Sequence, residues 1–150
     1  MFGFSNKAIR VEIFGKTDLG RTRDHNEDRF LVADLTRKSA SLQPEVRQHT
    51  IGPRGTLLVV ADGMGGAAAG ELASEMATDT IYDHLVKTWN AEQEVTPQRF
   101  AYRLKEAVEV ANASIHAHAK AHPEVRGMGT TTTAAGVLND HLYLTQVGDS

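Results

Sequence analysis

Acidic side chains stand at four positions where short apolar runs meet polar stretches, an arrangement that suits cation binding. They are Glu27, Asp28, Asp62 and Asp149. Carboxylate ligands, unlike imidazole or thiolate ligands, favour hard cations such as Mg²⁺ or Mn²⁺. Such ions activate water for attack on phosphate esters, and the planar guanidinium of Arg23 suits two phosphate oxygens. If folding brings these residues together, they predict metal-assisted hydrolysis of a phosphate ester.

Asp62 lies in the glycine-rich stretch LLVVADGMGGAAAGE, which covers residues 57–71. Residues 57–60 form a brief aliphatic run, which predicts a strand that is buried on both faces and ends just before Asp62. The glycines that follow allow the backbone to turn sharply and to approach a bound group closely. The Asp62 carboxylate would then be exposed at a strand end, next to glycine residues that have no side chain. As an alternative, an Asp before Gly commonly forms an Asx turn or caps a helix.

Hydrophobic periodicity indicates the elements that must position these residues. It predicts strands over 9–17, 30–33 and 56–61, an amphipathic helix over 70–88, and a hairpin with strands over 130–138 and 141–147. Thr96 as the N-cap and Pro97 as the first residue predict a second helix, which Pro123 ends. Residues 34–55 are polar with few apolar groups, which predicts an exposed connection.

Chain length and composition exclude several function classes. The 150 residues suit a single domain with its own core. A net charge of -3 argues against a general nucleic-acid-binding surface, which normally carries a basic excess. The chain contains no cysteine, which excludes disulfides, zinc–thiolate sites and a thiol nucleophile. No segment has the apolar length of a signal peptide or a membrane span, so we expect a cytoplasmic protein without membrane association.

The same glycine-rich stretch admits a second interpretation as a dinucleotide-binding loop. Gly63, Gly65 and Ala68 fit the G-x-G-x-x-A pattern between a strand and a helix, and Asp83 follows about 20 residues later. Two features disfavour this interpretation. Asp62 would place a negative charge beside a pyrophosphate, and Asp83 falls inside the predicted helix instead of at the end of a second strand.

Four segments, taken in order, resemble the N-terminal motifs of the metal-dependent protein serine/threonine phosphatases (PPM type, protein phosphatase 2C-like), in the style of the short bacterial members. The segments are TDLGRTRDHNED, VVADGMGGAAAGELAS, GMGTT and VGDS, and together they span residues 17–150. The resemblance implies an α+β fold, a four-layer α-β-β-α sandwich of two antiparallel sheets flanked by helices. Residues 1–150 would be the N-terminal part of one such domain.

The resemblance also implies a metal centre with two divalent cations, Mn²⁺ or Mg²⁺. Asp62 would bridge both ions, and the Gly63 carbonyl would bind one of them. Asp149 matches an acidic position that, in bacterial relatives, helps to hold a third and weaker ion. Three of the expected ligand positions therefore lie on the two glycine-containing motifs that follow predicted strands.

The resemblance implies that the remaining acidic residues and the arginine act beside the metal ions without binding them directly. Glu27 and Asp28 would orient metal-bound waters, and Arg23 would bind the substrate phosphate. The expected reaction is attack of the metal-bridging water on phosphoserine or phosphothreonine, without a phosphoenzyme intermediate. Phosphorylated proteins would be the substrates, a Ser/Thr protein kinase would be the opposing partner, and neither nucleic acid nor membrane would be bound.

The chain departs from the family pattern in two ways. Ala67 occupies a position where many relatives carry His or another polar group, and its presence would slow protonation of the leaving oxygen. The family also has two later metal-binding aspartates, which have no counterpart before Ser150. We therefore expect a fragment, truncated after the hairpin, that binds metal weakly and has little activity alone. The alternative is a non-catalytic pseudophosphatase that binds phosphopeptides or a partner.

Overall fold

The computed structural model of the chain describes residues 8–40 and 48–148, and the side chain of Ala67 lies outside this description. Along the described part of the chain, four strands come first, two long helices follow, and two further strands come last. They are β1 Arg10–Glu12, β2 Asp28–Asp34, β3 Gln48–Thr50, β4 Thr56–Met64, α1 Ala67–Thr88, α2 Pro97–Ala121, a short 3₁₀ turn Pro123–Val125, β5 Gly129–Leu138 and β6 His141–Val147.

The strands form two antiparallel sheets. The larger sheet has the strand order β2-β4-β5-β6, and β1 pairs with β3 in a small second sheet. Both helices pack on one face of the larger sheet and against each other. The predicted α+β class, with two antiparallel sheets and flanking helices, is confirmed. The dinucleotide-binding alternative is wrong, because that loop requires parallel β-α-β units and every pairing in the described sheets is antiparallel.

One face of strand β4 is buried, and its other face is exposed. Leu57, Val59 and Ala61 are buried on the helix side, whereas Val60, which points to the other side, is 59% exposed. The prediction of a strand buried on both faces is therefore wrong. Successive side chains of a strand point to opposite faces, and the helices cover only one of them.

Helix α2 begins as its sequence predicts, with Pro97 in the first turn and Thr96 as the N-cap. The Thr96 hydroxyl accepts a hydrogen bond from the Arg99 amide at 3.2 Å. Buried apolar residues follow at helical spacing, and the Phe100 ring packs 5.1 Å from that of Trp89. The hairpin between β5 and β6 is also confirmed, with Asn139 at a φ of 54° in the turn. No helix of the described ranges is both long and apolar enough to cross a membrane.

Several predicted boundaries differ from the structure. Strand β4 continues through Met64 instead of ending at residue 61, because its last residues still pair with the start of β5. Helix α1 starts three residues earlier than predicted, and β1 is much shorter than the predicted 9–17. The connection over 34–55 is not wholly exposed, since Leu35 and Ile51 are buried. Isolated apolar residues in a polar stretch carry no periodicity, so the sequence alone could not identify them as core.

A half-buried group of charged side chains joins α1 to α2. His84 Nε2 lies 2.6 Å from Glu106 Oε1, and Arg103 Nη1 lies 2.7 Å from the same oxygen. Arg103 also contacts Glu92 at 2.9 Å. The hydrogen bond with His84, followed by the one from Arg103, lowers the pKa of Glu106 from its usual 4.5 to about 2. The ionised Glu106 therefore stabilises the helix pair.

This lowered pKa predicts a pH-dependent contribution to stability. Because folding favours the ionised form, the contribution of Glu106 is present above pH 4.5 and is lost as the pH falls through about 2. We expect E106Q to lower Tm at pH 7 and to lose its effect as the pH approaches 2, in thermal melts followed by circular dichroism. The matched control is E109Q, which removes an exposed ion pair on the same helix and should change little. Equal effects of E106Q at both ends of the pH range would contradict the assignment.

Candidate active site

Two predicted site residues from distant parts of the sequence meet on adjacent strands. Asp28 begins β2 and Asp62 lies near the end of β4, and the strand register pairs them directly. Because cross-strand partners project to the same face, both carboxylates lie on the face away from the helices. Asp62 thus lies within the strand, and the expectation that it follows the strand end is corrected. Its other cross-strand partner is Thr131 of β5.

The carboxyl groups of these two cross-strand partners lie side by side, and this proximity changes the chemistry of Asp28. Partial dehydration, followed by the hydrogen bond and negative charge of Asp62, raises the pKa of Asp28 above its ordinary value of 3.8. The positive charge of Arg23 opposes this rise in pKa, and the negative charge of Glu27 adds to it. Adjacent carboxylates repel unless a proton or a cation lies between them. The pair is therefore suited in its chemistry to a divalent cation.

The loop before β2 is held in place by a residue that the sequence did not single out. Asn26 donates from Nδ2 to the Thr17 hydroxyl at 2.6 Å, and its Oδ1 accepts from the Asp28 amide at 3.0 Å. The second contact closes an Asx turn, a conformation that Asn favours. Asn26 thereby joins the two ends of the segment that carries Arg23. An Asn two residues before a predicted site carboxylate was the only sequence signal for it.

Gly63 lies at a close approach between β4, the start of β2 and α1. Its amide donates to the Glu27 carbonyl at 3.1 Å. A Cβ on Gly63 would overlap the carbonyl group of Gly70 in α1 and would lie 2.8 Å from the Glu27 carbonyl oxygen. Only glycine fits between these backbone atoms. The position next to Asp62 is therefore fixed by packing as well as by strand pairing.

A groove opens beside the carboxylate pair on the face away from the helices. Residues 13–18 run along this face, and the Phe30 ring lies against Gly15, where a Cβ would be only 2.6 Å from it. The groove has a volume of about 660 Å³ and is lined by Lys16, Val60 and Asp62 among others. The groove leaves the two carboxylates open on this face.

The ligand set within the described residues is partial. Across 8–40 and 48–148, no three His, Cys, Asp or Glu side chains form a group that could hold a metal ion. The two described positions predicted as ligands, the Asp62 carboxylate and the Gly63 carbonyl, carry oxygen atoms of the kind that Mg²⁺ and Mn²⁺ prefer, and the Asp28 carboxylate lies beside them. The third predicted ligand, Asp149, lies outside the described residues. Glu27, Asp28, Asp62 and Gly63 lie at one end of the sheet, and Arg23 lies in the exposed loop before β2.

Comparison with known proteins connects this arrangement to one family. Residues 37–150 match the family described as Protein phosphatase 2C. The chain is 33% identical over 135 residues to the serine/threonine phosphatase Stp of Listeria innocua serovar 6a, covering 90% of this chain and 46% of that protein. It is 31% identical over 120 residues to the protein phosphatase PhpP of Streptococcus pneumoniae serotype 2, covering 80% of this chain and 47% of that protein. The chain spans about half the length of the curated relatives it matches.

A solved structure shares the fold. The catalytic domain of the serine/threonine protein phosphatase PstP, in complex with two manganese ions, aligns with a TM-score of 0.63 and 30% identity. The alignment covers 94% of this chain and 50% of that one. Since the family match extends through residues 37–150 and the antiparallel sheet with its two helices is shared, this chain belongs to the protein phosphatase 2C family.

Proposed function

We propose that the protein removes phosphate from phosphoserine and phosphothreonine in other proteins, in a reaction that depends on divalent metal ions. The observation that carries the proposal is the register of β2 and β4, which places Asp28 directly opposite Asp62. This pairing concentrates negative charge beside a groove, a combination that a bound cation would stabilise. The relatives Stp and PhpP are described as phosphatases, and PstP has been solved with two manganese ions.

In this proposal the chain supplies ligands and positioning groups around two ions, Mn²⁺ or Mg²⁺. Asp62 would bind both, the Gly63 carbonyl would bind one, and Glu27 and Asp28 would hold water molecules by hydrogen bonds. Bound ions of this kind supply an activated water as nucleophile. Asp149 is proposed as a ligand of a third, weaker ion on the strength of the sequence resemblance alone.

Arg23 is proposed to bind the phosphate of the substrate. It lies on the segment whose two ends Asn26 joins beside Asp28, and its positive charge favours the ionised form of Asp28, which supports a position near the carboxylate pair. A guanidinium can donate to two phosphate oxygens at once, which orients the phosphorus for attack. Hydrolysis breaks the bond between phosphorus and the serine or threonine oxygen, and it yields inorganic phosphate and the free hydroxyl group.

The partners of the protein follow from this reaction. Phosphorylated proteins would be its substrates, and a Ser/Thr protein kinase would produce them. The cytoplasmic location expected from the sequence stays a prediction. Neither nucleic acid nor membrane has a role in the proposed reaction.

A second candidate function is binding of phosphopeptides without turnover. It is favoured by the absence of a three-residue metal-ligand group within the described ranges. A cation held by few protein carboxylates keeps most of its waters and binds weakly. For the 150-residue chain by itself, we therefore propose weak metal binding and little turnover.

Phosphate release from a phosphothreonine peptide distinguishes the two candidates. The product of the complete reading frame that contains this chain is assayed with Mn²⁺, with Mg²⁺ and with EDTA. We expect release with either ion and none with EDTA. Binding of the peptide without release, in fluorescence anisotropy, would support the second candidate. Release that persists in EDTA would contradict the metal-dependent reaction.

A further inference from the structure

Gly70 lies in the first turns of α1, at a position where a side chain would meet the carboxylate of Glu27. A Cβ built on Gly70 would lie 2.7 Å from Glu27 Cδ and 2.8 Å from its Oε2. The Glu27 carboxylate therefore occupies the space that any other residue at position 70 would fill. Glycine is a poor helix former compared with alanine. Its presence inside a 22-residue helix thus calls for a packing or functional reason.

The backbone around Gly70 is held firmly. Its amide donates to the Gly66 carbonyl at 2.7 Å, and its own carbonyl lies against Gly63 of β4. Gly63 in turn donates to the Glu27 carbonyl at 3.1 Å. Helix α1, the end of β4 and the start of β2 therefore meet at this point. The helix cannot move away from Glu27 without also moving away from Gly63.

We propose that Gly70 is a positioning residue that fixes the Glu27 carboxylate against the start of α1, on the helix side of Gly63 and of the proposed metal site. The inference rests on the proposed function, in which Glu27 holds water at the bound ions. The vacant side-chain position at Gly70 lets the carboxylate lie on the first turns of α1, where the positive end of the helix dipole stabilises a negative charge. Glu27 itself is half-buried, and the end of its side chain packs against this turn of the helix.

Replacing Gly70 by alanine separates this role from a role in folding. The new Cβ would meet the end of a flexible side chain, and the backbone atoms at this position would not have to move. Alanine also favours the helix more than glycine does. We therefore expect G70A to leave the Tm of the metal-free protein unchanged or raised. Its Mn²⁺ affinity should fall about 10-fold, the lower end of the range for loss of a group that acts on metal-bound water.

The experiment is a double-mutant cycle on the complete protein, with Mn²⁺ as the probe. Free Mn²⁺ is followed by electron paramagnetic resonance, and water at the bound ion by proton relaxation, in wild type, G70A, E27Q and the double variant. If Gly70 acts through Glu27, G70A will have little further effect in the E27Q background. G129A is the matched control, since a Cβ there would make only ordinary contacts, 3.5 Å from Met64 Cγ.

Replacing Glu27 by the shorter aspartate should restore part of the Mn²⁺ affinity that G70A loses. In the double variant G70A/E27D the carboxylate has one carbon less, so it avoids the new Cβ, and the Mn²⁺ affinity should recover in part. Unchanged Mn²⁺ affinity and relaxation in G70A would overturn the positioning role while leaving the proposed function intact. A loss in G70A that recurs in full in the E27Q background, or a lowered metal-free Tm, would also overturn it. If wild type itself binds no Mn²⁺, the proposed function fails and the inference fails with it.

Discussion

Replacing Asp62 by asparagine is expected to lower Mn²⁺ affinity by at least about 100-fold, since loss of a group that only orients metal-bound water already costs 10- to 100-fold. The same change should raise the thermal stability of the metal-free protein. Asp62 contributes to the raised pKa of Asp28 through a hydrogen bond and through its charge, so its neutral analogue relieves repulsion between the two strands. Isothermal titration with MnCl₂ measures the first effect, and Tm in EDTA measures the second.

The matched control for this substitution is D140N. Asp140 is an exposed carboxylate in the hairpin turn, at the opposite end of β5 from Thr131, and its partner is the neighbouring His141 at 2.7 Å. The D140N substitution should change neither the Mn²⁺ affinity nor the metal-induced rise in Tm. If D62N retained the affinity of wild type, Asp62 would not be a metal ligand and the proposed centre would have to be abandoned.

The second large effect is expected for G63A, which should destabilise the protein by about 3 kcal/mol, at the upper end of the usual cost of overpacking. The added Cβ would meet the backbone of Gly70 and the carbonyl oxygen of Glu27, and neither can move by rotating a side chain. Either α1 shifts or the hydrogen bond from the Gly63 amide to Glu27 breaks. Urea unfolding followed by circular dichroism measures the loss.

A neighbouring glycine provides the comparison for G63A. Gly129 pairs with Met64 on the adjacent strand, and a Cβ there would lie 3.5 Å from the nearest atom of that side chain. We expect G129A to cost less than about 1 kcal/mol, since nothing has to move to admit a methyl group. Equal costs for G63A and G129A would mean that the junction of Gly63 with Gly70 is not tightly packed.

Those elements that depend on local sequence were predictable. Thr96 and Pro97 marked the start of α2, and the hairpin turn followed from Asn139 and Asp140 between two runs of β-forming residues. Asp62 was recognised as a site residue because it follows an aliphatic run and glycines come directly after it. In each case the signal lies within a few residues, where backbone preference and side-chain chemistry act together.

Strand pairing was not predictable in the same way. The register that places Asp28 opposite Asp62 joins residues 34 positions apart, and no local pattern specifies it. The extension of β4 through Met64 depends on its partner β5, which supplies Gly129 and Thr130 as cross-strand neighbours. Pairing therefore extends the strand through a glycine-containing segment that would favour a turn by itself.

The contact between Glu27 and Gly70 shows a further limit. In the sequence, Gly70 is only a poor helix former between Ala69 and Glu71. Its contact with the Glu27 side chain is seen only in the folded structure, where the residue before β2 lies against α1. Asn26 is a similar case, since its two hydrogen bonds reach Thr17 and Asp28. Residues that position other residues carry little chemistry of their own, so the sequence gives little reason to choose them.

The central claim is that Asp62 and the Gly63 carbonyl form a divalent metal site beside Asp28. An anomalous difference map from crystals of the complete protein grown with MnCl₂ tests it most directly. The account predicts a manganese peak within coordination distance, about 2.2 Å, of an Asp62 carboxylate oxygen and the Gly63 carbonyl oxygen. A manganese-saturated crystal with no peak at these two oxygens would contradict it.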